Sequence, residues 1–169
     1  MDPAVVALLN YEEDPEIIFY GLDLNQFDLI FIPINDNNDK FNLNGGNHWS
    51  LLVYLSKEDI FLYYDSIKKR TSNLENAKKI AQKLRVLING KTYALKTLDN
   101  FIINSETPQQ KNGYDCGVYV LAFTEILIQF LQQKQSIFDH KAMASIISEE
   151  YIDKFRVQIK TLVESLIKK

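Results

Sequence analysis

Cysteine is almost absent from this chain: 169 residues carry a single thiol, Cys116. That scarcity excludes an intramolecular disulfide and any zinc site built on several thiolates. It fits a reducing compartment, so the expected location is the cytoplasm and/or the nucleus. Histidine is nearly as rare, with only His48 and His140, far apart in the chain; neither a metal nor any other cofactor is expected. Six Gly and four Pro are too few for a collagen-like or low-complexity chain. Long hydrophobic runs are missing as well. No apolar stretch reaches the 18 residues of a membrane span, and Met1-Asp2-Pro3 with the short run Ala4 to Leu9 lacks a basic targeting region, so no membrane partner is expected. An excess of positive charge is also lacking: 19 Lys and Arg face 22 Asp and Glu, for a net charge of -3 and a pI near 5.4. Nucleic acid is therefore not an expected partner, since phosphate binding needs a basic footprint.

What is present is globular. Hydrophobic residues make up 46% and charged residues 24%, enough for one core, and no linker or shift in composition divides the chain. One α+β domain over residues 1–169 with a small sheet is expected. Leu29 to Ile34 is an uncharged apolar strand. The Asn- and Asp-rich stretch from Asn35 to Asn47 reads as a surface loop. A second strand starts at His48 and runs to Leu55, Ser56 to Asp59 turns, and Ile60 to Tyr64 returns. Ser72 and Glu75 suggest a capping box, and the spacing of Leu74, Ala77, Ile80, Ala81, Leu84 and Leu87 predicts a helix ending near Asn89-Gly90. Short strands are expected at Thr92 to Leu95 and Asn100 to Asn104. A helix from Cys116 to Gln133, apolar on most faces, is expected to be the central buried one. Helices are expected over Ser136 to Lys169, and a short one over Pro15 to Tyr20.

A free cysteine is usually just a small buried hydrophobe, but Cys116 has unusual surroundings. It lies in Gly113-Tyr114-Asp115-Cys116-Gly117, directly before the long apolar helix. The positive end of that helix favours a thiolate, and its unpaired N–H groups can donate to an oxyanion. Gly113 and Gly117 would allow a tight turn and close approach of a substrate chain. His48 is the candidate base. If Leu55 pairs with Ile60, Ser50 faces Asp65, and His48 becomes a same-face diagonal neighbour of Asp65, close enough for a carboxylate to orient the imidazole. Gln110, six residues before Cys116, carries an amide able to donate to an oxyanion. Trp49 alternates to the opposite face from His48, with strand twist able to bring it beside the cleft. His140 has no constellation around it and reads as solvated.

In the order His, Asp, Gln, Cys, these segments resemble the Ulp/SENP family of cysteine proteases, which cleave ubiquitin-like modifiers. The segments are Gly45-Gly46-Asn47-His48-Trp49-Ser50, Tyr64-Asp65-Ser66 and Pro108-Gln109-Gln110-Lys111-Asn112-Gly113-Tyr114-Asp115-Cys116-Gly117. Ile34-Asn35-Asp36-Asn37 before the His-Trp strand, with Asp14-Pro15-Glu16-Ile17 and Leu22-Asp23-Leu24, is similar to the deneddylase (NEDP-type) branch. The resemblance implies a papain-like fold of the Ulp/adenain type with a small central sheet flanked by helices. It implies Cys116 as nucleophile, His48 as general base, Asp65 as its orienting group, Gln110 at the oxyanion hole, and Trp49 as one wall of a tunnel for the modifier's Gly-Gly tail. The implied partner is the neddylation modifier and its conjugates, handled by a monomer. The family's N-terminal segment with a Trp-Leu-x-Asp motif has no counterpart in Met1 to Glu13, so an N-terminally truncated version of the fold is expected. A SUMO-specific protease and a non-catalytic remnant that binds a modifier both remain open at this level, as does an α+β domain whose one cysteine is structural.

Overall fold

The computed structural model describes residues 1–42, 45–68, 72–89 and 102–167. It is an α+β structure. Four strands, β1 (Leu29–Asn35), β2 (Trp49–Leu55), β3 (Ile60–Tyr64) and β4 (Ile102–Asn104), form one sheet in the order β1-β2-β3-β4. The first three are antiparallel, and β4 runs parallel to β3. Leu55 pairs with Ile60 and Leu51 with Tyr64, the register that the four-residue turn predicts. Asp59 closes that turn at φ 52°, a conformation Asp tolerates better than most residues.

Helices cover both faces. α1 (Pro3–Tyr11), α2 (Pro15–Ile18) and α3 (Ser72–Asn89) lie on one side, and their core takes in Ile30, Ile32, Ile34, Leu52, Tyr54, Phe61 and Tyr63 from the sheet. α4 (Cys116–Gln132), α5 (His140–Ile146) and α6 (Glu149–Ile167) lie on the other, where Leu51, Val53, Leu55, Leu62 and Tyr64 meet Tyr119, Phe123, Ile126 and Phe130. Period-two alternation along β2 and β3 thus feeds two cores from one sheet.

Several expectations need adjustment. The run Ala4 to Leu9 lies in α1, which Asp2 caps through a 2.7 Å bond from the Ala4 N–H, with Pro3 at the first helical position. α4 is buried on one side only, because Leu121, Ile128 and Leu131 are exposed. Ser72 opens α3, and Glu75 pairs with Lys78 at 3.3 Å. The strand expected at Thr92 to Leu95 and the helix stop at Gly90 lie outside the described residues.

Candidate active site

The sheet's strands end where α4 begins, and that junction gathers the chemistry. β3 stops at Tyr64, and Asp65 follows with its carboxylate held from three directions. Oδ1 meets His48 Nε2 at 2.7 Å and accepts the Ile67 N–H at 2.8 Å, while Oδ2 accepts the Tyr63 hydroxyl at 2.8 Å. The Asp65 carbonyl is fixed in turn by the Thr107 hydroxyl and by Gln109 Nε2, the latter at 3.0 Å. His48 is fully buried. Its main-chain N–H donates to Asp36 Oδ1 at 3.0 Å, and its carbonyl accepts from Asp36 N at 3.2 Å and from Asn73 Nδ2 at 3.3 Å. The imidazole therefore has one orientation, with Nε2 on the carboxylate.

The other ring nitrogen, Nδ1, is buried and makes no hydrogen bond. The Cys116 thiol is, with Asp65, the polar neighbour that acts on the imidazole, and no hydrogen bond joins it to Nδ1. Resting cysteine–histidine pairs are commonly this loose. Burial alone would lower the imidazole pKa. The hydrogen bond to Asp65, the polar contact with Cys116 and the charges of both outweigh burial and push it from 6.5 up to about 9. Cys116 moves the opposite way. Burial raises its pKa, but the contact with His48, the main-chain N–H of Trp49, the imidazolium charge and the N–H of Gly117 bring the thiol below its ordinary value. Cys116 is the first residue of α4, so the macrodipole acts in the same sense. Both shifts favour an imidazolium beside a thiolate.

Gln110 ties this junction together from the loop before α4. Its main-chain N–H donates to the Ser66 carbonyl at 3.0 Å, its Oε1 accepts the Ser66 hydroxyl at 2.6 Å, and its Nε2 donates to the Asn112 carbonyl at 2.6 Å. With the amide oxygen pinned, the second Nε2 hydrogen is left for an incoming oxygen. Trp49 is half-buried and packs partly on the α4 side, as alternation predicts. It also lines a cleft of about 600 Å³ with Pro3, Ala7 and Tyr11 of α1 and with Gly46. That cleft does not take in His48 or Cys116.

The glycines divide differently from expectation. Gly113 and Gly117 have ordinary φ angles, and a Cβ on either would meet nothing; neither is required by a turn, and Gly117 leaves open space beside the thiol. Gly46, just before His48, is constrained, at φ 90° with a Cβ position 1.9 Å from Asn35 Oδ1. His140, expected in solvent, opens α5 half-buried and packs edge-on to Tyr64 at 6.2 Å between ring centroids. Tyr63, Asn73, Thr107 and Arg156 escaped the sequence reading. Of these, only Tyr63 had a legible signal, since it lies two residues from Asp65 on the same strand face.

Comparison with known proteins gives this arrangement its context. Residues 18–169 match the family described as the Ulp1 protease family, C-terminal catalytic domain. The chain is 36% identical over 174 residues to human "Sentrin-specific protease 8", with all of this chain and 75% of the relative covered. It is 33% identical over 152 residues to "NEDD8-specific protease 2" of Schizosaccharomyces pombe, covering 85% of this chain and 34% of the relative. Among solved structures, the Xanthomonas campestris effector protein XopD bound to ubiquitin superposes with a TM-score of 0.60 at 23% identity, over 92% of this chain and 75% of that one. This last likeness shows the fold.

Proposed function

The chain belongs to the Ulp1 protease family, and from that premise we propose that it is a thiol peptidase cutting after the C-terminal Gly-Gly of a ubiquitin-like modifier, the neddylation modifier NEDD8 by preference. The observation that carries the reading is the arrangement of Asp65 on His48 Nε2 with Cys116, at the head of α4, acting on the same imidazole. The names of the relatives, sentrin- and NEDD8-specific proteases, support the choice of modifier. A monomer acting in the cytoplasm or nucleus belongs to the same proposal.

The chemistry follows from the groups present. The Cys116 thiolate attacks the terminal glycine carbonyl. A carbon–sulfur bond forms, and the carbonyl π electrons move to oxygen. The N–H groups at the start of α4 and the second Nε2 hydrogen of Gln110 are the donors that receive that oxyanion in this reading. As the tetrahedral intermediate collapses, the carbon–nitrogen bond breaks and the His48 imidazolium gives its proton to the leaving amine. Water then attacks the thioester, His48, now neutral, takes its proton, and the carbon–sulfur bond breaks to release the carboxylic acid and restore the Cys116 thiolate. Asp65 keeps the ring oriented through both steps. Glycines in the tail suit the site because the residue after the nucleophile is Gly117, where the space is open.

The test is to mix the purified chain with NEDD8, SUMO and ubiquitin, each bearing a C-terminal electrophile, and to read adducts by mass spectrometry beside Cys116→Ala. An adduct with NEDD8, absent from the variant, is expected. A SUMO adduct in its place would reassign the modifier, and no adduct from a folded chain would leave a binding domain only.

A further inference from the structure

Among the described residues, helical segments that follow an aspartate use it in one way, with a single exception. Asp2, Asp14 and Asp139 each accept a hydrogen bond from an N–H in the first turn of α1, α2 and α5, and Asp23 does the same for a short 3₁₀ turn. Asp115 stands in the same position before α4 but makes no such bond. Its carboxylate is buried and turned away. Oδ1 accepts Arg156 Nε at 2.9 Å, and Oδ2 accepts Arg156 Nη2 and, at 2.6 Å, Asn112 Nδ2. Asn112 Oδ1 also accepts the N–H groups of Tyr114 and Asp115 at 3.1 and 3.0 Å, which holds the loop in this turn. Arg156 comes from α6 and lies over the Tyr114 ring at 5.7 Å.

We infer that Arg156 is a positioning residue for the Cys116 thiolate: its guanidinium draws the Asp115 carboxylate off the N-terminus of α4 and neutralises it, leaving the first N–H groups of the helix to the thiolate and to the oxyanion formed on attack. An aspartate at this position ordinarily caps the second or third helical N–H, here Gly117 or Val118. The Gly117 N–H is one of the groups that favour the thiolate. A released carboxylate would take that donor and place a second negative charge beside the sulfur. A bidentate guanidinium suits the task, because two parallel bonds fix the carboxylate's direction as well as its charge. The remaining charges nearby are arranged around this pair. Asp153 holds Arg156 Nη1 at 3.2 Å, and Lys111 of the nucleophile loop meets Glu149 of α6 at 2.9 Å. On the other side of the thiol stand His48 and Asp65. α6 has independent anchors in buried Ile152 and in the 2.7 Å bond from the Tyr151 hydroxyl to Glu125, so it stays seated when Arg156 is changed.

This inference rests on the reading of Cys116 as nucleophile, and the test separates the two. Cys116 is the only cysteine, so the rate of iodoacetamide alkylation against pH reports its thiolate alone. In the wild-type chain the profile should rise below the range of an ordinary thiol; an ordinary profile would overturn the activated nucleophile itself. Arg156→Gln should shift the profile to higher pH and slow alkylation at pH 7 about tenfold. Asp115→Ala in that background should restore most of the rate, because a methyl group brings neither a charge nor a capping acceptor to the helix end. The displacement of the profile along the pH axis in the folded variant is the readout that a merely structural role for Arg156 would not move. Arg156→Lys, which keeps the charge and much of the packing but loses the fork, should fall in between and serves as the probe if Arg156→Gln fails to fold. A profile for Arg156→Gln or Arg156→Lys superposing on wild type, or a double variant as slow as Arg156→Gln, would overturn the inference.

Discussion

A carboxylate on one ring nitrogen and a thiol acting on the same imidazole give His48 a proton that it keeps through neutral pH. The sign follows from the competition already described. Burial lowers its pKa, Asp65 and Cys116 raise it, and the second effect wins, to about 9. The imidazolium therefore persists below about pH 9 and is lost above it, while the thiolate persists until the pH falls below the lowered thiol pKa. Peptidase kcat/KM should follow a bell whose alkaline limb lies near pH 9, its two limbs belonging to the coupled pair. Asp65→Asn removes the leading favourable contribution and leaves burial in place. The alkaline limb should move to lower pH and kcat should fall about 10²-fold or more, with the melting temperature measured alongside; an unchanged profile would remove Asp65 from its orienting role. At this scale the sequence was legible where chemistry is local. The pairing of Leu55 with Ile60 follows from one short turn, and it puts His48 diagonal to Asp65. The partners drawn from distant segments, Thr107, Asn73 and Arg156, carry no such signal, because nothing in a lone Thr, Asn or Arg marks which buried acceptor it will find.

Among the elements, α3 does more than cover the sheet. Asn73, fully buried in its first turn, directs Nδ2 at Ser50 Oγ, 3.0 Å, and at the carbonyls of His48 and Ile34, 3.3 and 3.4 Å. One turn later Asn76 Nδ2 donates to the Asn35 carbonyl at 3.0 Å. These amides brace the ends of β1 and β2, where main-chain pairing stops and His48 begins. Asn73→Ala removes the buried donor and leaves its acceptors unsatisfied. It should cost about 1–3 kcal/mol of stability in urea unfolding and lower kcat through a looser His48. Unchanged stability would mean that water replaces the amide. The element boundaries were legible for β1, β3, α3 and α4, whose apolar periodicity is continuous. α1 was missed although Asp2-Pro3 is a strong start signal, because its apolar run is short. The brace itself was illegible: Asn73 and Asn76 read from sequence as polar residues near a helix start.

Over the whole molecule, one sheet separates two cores, and the site lies where they meet. His48 and Asp65 share the strand parity of Leu52, Tyr54, Phe61 and Tyr63, which face the α1/α3 core. Cys116 belongs to α4 on the opposite side. The α+β class and the antiparallel β1–β3 meander follow from local pattern. The parallel pairing of β4 with β3 and the return of α6 onto the α4 entrance are non-local, and no periodicity encodes them. The division makes damage to the two cores distinguishable. Phe123 lies on the buried stripe of α4 that begins at Cys116 and packs against Tyr64 and Tyr119. Leu84 is fully buried in the α1/α3 core. Phe123→Ala should cost about 3–5 kcal/mol and Leu84→Ala about 2–5 kcal/mol, comparable losses. Their effects on the native thiol should differ. A cavity under α4 lets the helix settle and moves Cys116 relative to His48, so alkylation at neutral pH, well below both melting transitions, should slow several-fold. A cavity on the far side of the sheet leaves the junction in place, and the Leu84→Ala rate should stay close to wild type. Equal slowing in both variants would mean that the sheet transmits strain from one core to the other and that the site is held by the packing of the whole molecule rather than by the seating of α4.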